Sequence, residues 1–210
     1  MSRYTQIQWV IGAAAVVLIA GSMTRAWHGT THMPATRAAV IALPDEVPAF
    51  FREAGAALAH HAVDPDIMRD RATPQLRATE GPEHYLDLEL LDGKPLPPTR
   101  YEFYQLCHEM GLDPTRVGTA PYAITEWTQR LTIAFAEYRA RPDNPHVQRK
   151  CIVYAGQVAH YAQDLINPLH TTIHFNGLVQ PDGSKLHEGI HLRVDALPGK
   201  LPDEDRDPRT

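Results

Sequence analysis

The chain has 210 residues, enough for one domain with short extensions. Its formal charge is −5, and −7 once the first 26 residues, which hold Arg3 and Arg25 and no acid, are set aside. That balance excludes a protein that grips a phosphate polymer with basic side chains alone. All 12 histidines lie beyond residue 26, a high density of the side chain most often used to bind metals.

Residues 1–26 read as a signal peptide. Arg3 gives a positive start, Trp9 to Gly21 form an apolar run, and Thr24 and Ala26 offer a cleavage site. The run is short for a membrane span, which takes about 20 residues, so an uncleaved anchor is the secondary reading. Cleavage makes Trp27 the first residue of a chain that is secreted or periplasmic. That compartment permits a disulfide between Cys107 and Cys151; two buried free thiols are the alternative.

Helical signals dominate the rest. Residues 47–61 place apolar side chains at helical spacing after an early proline. Residues 99–110 run up to Gly111, a C-terminal stop. Residues 121–140 form an amphipathic stretch opened by Pro121 and closed before Pro142. Residues 145–166 open with Pro145 and end before Pro168, which disfavours helix at Asn167. Strand signals are weak. The stretches 62–98 and 175–186, rich in Asp, Pro and Gly, read as irregular, and the charged, Pro-rich tail 196–210 reads as disordered. The expectation is an all-α, single-domain helical bundle with long functional loops.

The segment HYAQDLINPLH carries the chemistry. His160 and Asp164 are four apart on an expected helix and share a face, and Pro168 turns the chain so that His170 can return to the same point. Imidazole and carboxylate on a rigid element are what a divalent ion requires. A satisfied His–Asp pair on a polar helix face is the bland reading for one such pair. Further pairs shift the balance toward several metals: His191 and Asp195, His84 and Asp87, and before them Asp64, Asp66 and Asp70, for which a solvated acidic turn is the alternative. A free α-amino group on Trp27 chelates a metal together with its own carbonyl, and His32 lies five residues on.

In order, Trp27, His32, an aspartate in DPDIMRD, His84 in HYLD, His160-x3-Asp164-x5-His170 and His191-x3-Asp195 resemble the ligand series of the secreted zinc-dependent phospholipase C and single-strand-specific nuclease superfamily. The likeness spans Trp27 to Asp195. It implies a helical fold around a trinuclear zinc cluster, in a phosphodiesterase domain covering residues 27–195. Trp27, His32 and Asp164 would hold one zinc. Asp66, His84, His160 and Asp164 would hold a second, with Asp164 bridging, and His170, His191 and Asp195 the third. Asp66, followed by Arg69 as in the nucleases, is the choice for the upstream ligand and for a group that orients or deprotonates water; Asp70 is its rival. His187, His174, His108 and the His60–His61 pair match no ligand position. Three Zn²⁺ add six positive charges to an acidic chain, which removes the electrostatic objection to a phosphate substrate.

The implied activity is zinc-dependent hydrolysis of phosphodiester bonds in single-stranded nucleic acid or phospholipid, with no stable protein partner. A short Trp27–His32 separation and Asp195 as the last ligand lean toward nuclease. HFNG in place of Gly-Gly-Asn, and Gly189-Ile190-His191, lean toward phospholipase. The family continues with further helices beyond its last ligand, whereas 15 residues follow Asp195 here. A truncated or degenerate relative that binds zinc without turnover is therefore the alternative.

Overall fold

The computed structural model describes residues 29–197. The expected signal peptide, Trp27 and most of the expected tail lie outside the described residues. The described chain is mostly helical, with one two-stranded hairpin. None of its helices is long and apolar enough to cross a membrane.

Helix α1 spans Gly29–Ile41 and was not foreshadowed by periodicity, since it contains Pro34. The expected helix over 47–61 is two pieces, α2 (Ala49–Arg52) and α3 (Gly55–His61), separated by a turn at Glu53–Ala54. The stretch 62–98 departs from expectation in the opposite direction, toward more helix. It holds α4 (Asp64–Met68), α5 (Pro74–Glu80) and 3-10 turns at Gly81–His84 and Leu88–Leu91. Its prolines Pro65, Pro74 and Pro82 sit in the first turns of helices, where the missing N–H costs nothing. As loop signals they mislead.

Helix α6 (Arg100–Glu109) opens with a full capping box between Thr99 and Glu102. The short α7 (Pro114–Val117) follows, then α8 (Ala120–Ala140) and α9 (Pro145–Ile166), all but α7 close to expectation. In α9, the Asn144 side chain accepts the His146 N–H and Pro145 occupies the first turn. A 3-10 turn at Pro168–His170, the strands β1 (Leu178–Val179) and β2 (Lys185–Leu186), and α10 (Ile190–Asp195) complete the described chain. The strands are antiparallel, with Leu178 opposite Leu186, and at two residues each they are too short for alternation to announce them.

The four-residue link 141–144 folds α8 back on α9 as a helical hairpin. Helix α9 also packs on α1, α3 and α4 and on the 3-10 turns that carry His84 and His170, so it is the element on which the site is assembled. One apolar cluster joins Phe51, Leu58, Ala134, Cys151 and Ala155; another joins Leu86, Leu91, Phe103, Cys107, Val117 and Tyr122. Cys107 and Cys151 are thus buried free thiols in different clusters, which decides between the two readings left open by the sequence.

Candidate metal centre

His160 and Asp164 project from one face of α9 and are almost completely buried. His160 Nδ1 donates to the Ala62 carbonyl, 2.8 Å away, which leaves the Nε2 lone pair to face inward. There it lies 2.9 Å from His84 Nδ1 and 3.3 Å from Asp164 Oδ2, and His84 Nδ1 is 2.9 Å from the same oxygen. A tetrahedral ion with bonds of about 2.0–2.1 Å holds its ligand atoms about 3.3 Å apart. The three donors therefore sit close to the edges of such a polyhedron. Asp66 joins His84 and His160 in this group. Its Oδ1 accepts from Arg69, while its Oδ2 is buried with no hydrogen-bond partner.

The other oxygen of Asp164 faces α1. Asp164 Oδ1 is 3.6 Å from His32 Nε2, and His32, His160 and Asp164 form a second group. His32 Nδ1 donates to Gln163 Oε1 at 2.8 Å, and Gln163 Nε2 donates in turn to Thr36 Oγ1 at 2.9 Å. The third group is His170, His191 and Asp195. His170 Nδ1 donates to the His84 carbonyl (2.7 Å), so its Nε2 faces His191 Nε2 at 3.0 Å and Asp195 Oδ1 at 3.6 Å. His191 Nε2 is 3.2 Å from Asp195 Oδ2. Two ring nitrogens at that separation need a proton or a cation between them. Asn167 Nδ2 donates to Asp195 Oδ1 (2.8 Å), and the Thr31 hydroxyl to the Asp195 carbonyl (2.5 Å).

His32, His160 and His170 thus follow one pattern: Nδ1–H is spent on a fixed oxygen and Nε2 is presented to the cluster. Metal-binding histidines are oriented in this way. The electrostatics put Asp164, Asp66, His84 and His32 in ligand form. His160, despite its burial, is raised by Asp164 and, like His170, would give up a proton to a cation. Burial pushes the Asp164 carboxyl up, but His160 and His84 outweigh it and hold it well below the usual carboxylate range. Burial raises Asp66 too, and Arg69 and the histidines bring it below its ordinary value. Burial keeps His84 neutral, down to about 4, and lowers His32 as well. His170 is pushed up to about 9 because the hydrogen bond with Asp195 and the charge of Asp164 overcome its burial. Ionised carboxylates and neutral imidazoles are the ligand forms, and a cation arriving at His170 displaces a proton. The orphan Asp66 Oδ2, the inward-facing nitrogens and the donor spacing together fit divalent ions, zinc among them.

One cavity of ≈ 320 Å³ is lined by His32, Asp66, Asp164, His170, His191 and Asp195, so all three groups open on it. A second, of ≈ 350 Å³, shares Arg69, His170 and His191 and adds His84, Asp87 and Arg116.

Of the expected ligands, the structure brings together His32, Asp66, His84, His160, Asp164, His170, His191 and Asp195. Trp27 lies outside the described residues. Asp70 is exposed and accepts the Ala72 N–H in a turn, so Asp66 is the aspartate delivered to the cluster. Asp64 pairs with His61, and Asp87 lines the second cavity without joining the group around His84. Gln163 and Asn167, which orient His32 and Asp195, were not singled out from the sequence. Both stand within the central motif at positions its spacing leaves free, so only three-dimensional proximity reveals them.

Gly156 makes the α9 arrangement possible. A Cβ there would lie 2.5 Å from His61 Cβ and 2.8 Å from the His61 carbonyl carbon. The chain at 61–62 can therefore approach closely enough for the Ala62 carbonyl to reach His160 one turn later. In an open helix interior Gly→Ala gains about 1 kcal/mol. Here Gly156→Ala is expected to destabilise by about 1–3 kcal/mol through overpacking and to weaken metal binding at His160 if the group takes an ion. Thermal melting and metal content check this together; a melting temperature at or above that of the parent contradicts the close approach.

Comparison with protein-family models, with curated proteins and with solved structures finds no match.

Proposed function

We propose that this chain is a zinc-dependent phosphodiester hydrolase of the nuclease or phospholipase C type. The observation that carries the reading is the placement of Asp164: one oxygen faces His32, the other faces His84 and His160, and a separate His–Asp trio opens on the same cavity. His32 and Asp164, with the amine and carbonyl of a mature Trp27, hold one zinc. Asp66, His84, His160 and Asp164 hold the second, and His170, His191 and Asp195 the third. Bound there, zinc supplies Lewis acidity toward a phosphoryl oxygen and lowers the pKa of water.

The chain's own groups do the rest. Asp66, ionised and held through Oδ1 by Arg69, offers Oδ2, which has no hydrogen-bond partner, as the ligand oxygen, and the remaining lone pair of that oxygen would accept a hydrogen bond from the attacking water and aim it. The histidine Nδ1–H bonds hold the ligands rigidly, so little reorganisation accompanies substrate binding. The reading carries with it export and removal of residues 1–26, because only then does Trp27 offer a free amine.

The test is zinc content of the mature chain, followed by hydrolysis of single-stranded DNA and of phosphatidylcholine side by side. Close to three zinc ions per chain with turnover of either substrate is expected. One ion or none defeats the reading, and full zinc with neither substrate hydrolysed favours a binding protein without turnover.

A further inference from the structure

His84 turns Nδ1 toward Asp164 and His160, and its other ring nitrogen, Nε2, is buried without a hydrogen-bond partner. Glu80 Oε1 lies 3.9 Å from that nitrogen and is supplied from four residues earlier, at the end of α5. Glu80 is itself buried, and the hydroxyl of buried Tyr161 donates to the same Oε1. The Tyr161 ring also stands edge-on to His84 at 5.8 Å and to His160 at 5.3 Å, so one side chain braces both histidines and the carboxylate. Among the described residues no lysine or arginine is paired with Glu80.

A buried carboxylate needs hydrogen-bond donors to offset its lost hydration. Tyr161 supplies one. The Nε2 proton of His84, 3.9 Å from Oε1 and so just outside hydrogen-bond distance, is the candidate for the other. A neutral imidazole has one N–H, so when a cation takes the Nδ1 lone pair the proton must sit on Nε2, where leaving it unpaired in the interior is costly. A carboxylate in that position stabilises the proton, fixes the ring and makes the opposite nitrogen a better donor to metal. The contrast with His32, His160 and His170 is informative. Those three spend Nδ1–H on an amide or backbone oxygen and offer Nε2; His84 is reversed, offers Nδ1, and faces a carboxylate with Nε2.

We infer that Glu80 is a positioning residue for the metal centre: held by Tyr161, it accepts the Nε2 proton of His84 and so keeps the Nδ1 lone pair turned to the cation shared with His160 and Asp164. The inference rests on the metal-binding reading above and adds to it an oxygen that touches no metal.

The test compares wild type, Glu80→Gln and Glu80→Ala as full chains, with zinc affinity measured by competition against a chromophoric chelator. Glutamine keeps the shape and an oxygen for Tyr161 but loses the charge. Zinc at the second site is expected to weaken about tenfold in Glu80→Gln and up to about 100-fold in Glu80→Ala, with the other sites little changed. Nitrogen NMR of the zinc-loaded wild type should find the His84 proton on Nε2. A purely structural Glu80–Tyr161 bond would lower the melting temperature and leave zinc affinity within twofold, and that result overturns the inference. So does a His84 proton on Nδ1 in the loaded protein, a reading that does not depend on either variant folding. Full zinc in wild type with unaffected variants removes only the role of Glu80, whereas no zinc in wild type removes the metal reading itself.

Discussion

Replacing Asp164 with alanine is expected to reduce bound zinc from three ions per chain to one and to slow phosphodiester hydrolysis by more than about 10³-fold. The size of the effect follows from its two oxygens. Oδ2 lies against His84 Nδ1 and His160 Nε2, and Oδ1 against His32 Nε2. Without them, two neighbouring groups lose their common anion, and three inward-facing imidazoles are left with Asp66 alone. The trio of His170, His191 and Asp195 carries its own carboxylate and on the proposed reading should retain an ion. The metal-free fold also suffers, because removing one member of a buried charge cluster costs about 3–5 kcal/mol. Asp164→Asn separates the two consequences: it preserves shape, so zinc should fall as far while the melting temperature falls less. Circular dichroism establishes that each variant is folded, and elemental analysis counts the metal. Two or more zinc ions retained by folded Asp164→Ala would end the bridging assignment.

The long helices were legible because their ends are marked by residues with a single mechanical meaning. Asn144-Pro145 opens α9 and Asn167-Pro168 closes it; Thr99 and Glu102 cap α6. Between the marks, four-residue spacing put His160 and Asp164 on one face without any knowledge of the fold. The break at Glu53–Ala54 has no clear sequence signal because apolar periodicity runs straight through it; only Gly55, worth about 1 kcal/mol against helix relative to Ala, hints at it. In 62–98 the prolines carried two meanings, loop and first helical turn, and local sequence does not choose between them. Arg69 already points to Asp66 in the sequence, but removing Asp70 as a rival takes the packing of the α4 segment against α9, a contact nearly 100 residues apart in the chain. Gln163, Asn167 and Glu80 were invisible for a related reason. Each acts through a partner far away in sequence or through a side chain that sequence spacing does not orient.

Chelation of the purified protein is expected to lower its melting temperature by roughly 15–30 °C. A ligand present at about 100 times its dissociation constant adds about 2.7 kcal/mol per site, and a chain of this length loses about 2–4 °C for each kcal/mol. Three sites reach that range if they bind independently of the unfolded chain. The loss should not be uniform. Helix α1 is tied to the site through His32 to Gln163, Thr36 to Gln163 and Thr31 to the Asp195 carbonyl, and α10 through Asp195 to Asn167 and His191 to His170. The α8–α9 hairpin has Ala134 and Cys151 in an apolar cluster that owes nothing to metal. Hydrogen exchange after chelation should therefore open α1 and residues 168–195 first, while α8 and the N-terminal half of α9 stay protected. Re-adding zinc should restore both protection and melting temperature. A melting curve indifferent to chelator would show that the clustered nitrogens and carboxylates hold their positions through shared protons, with Asp164 acting as the anion of a histidine network, and the proposed catalysis would lose its metal.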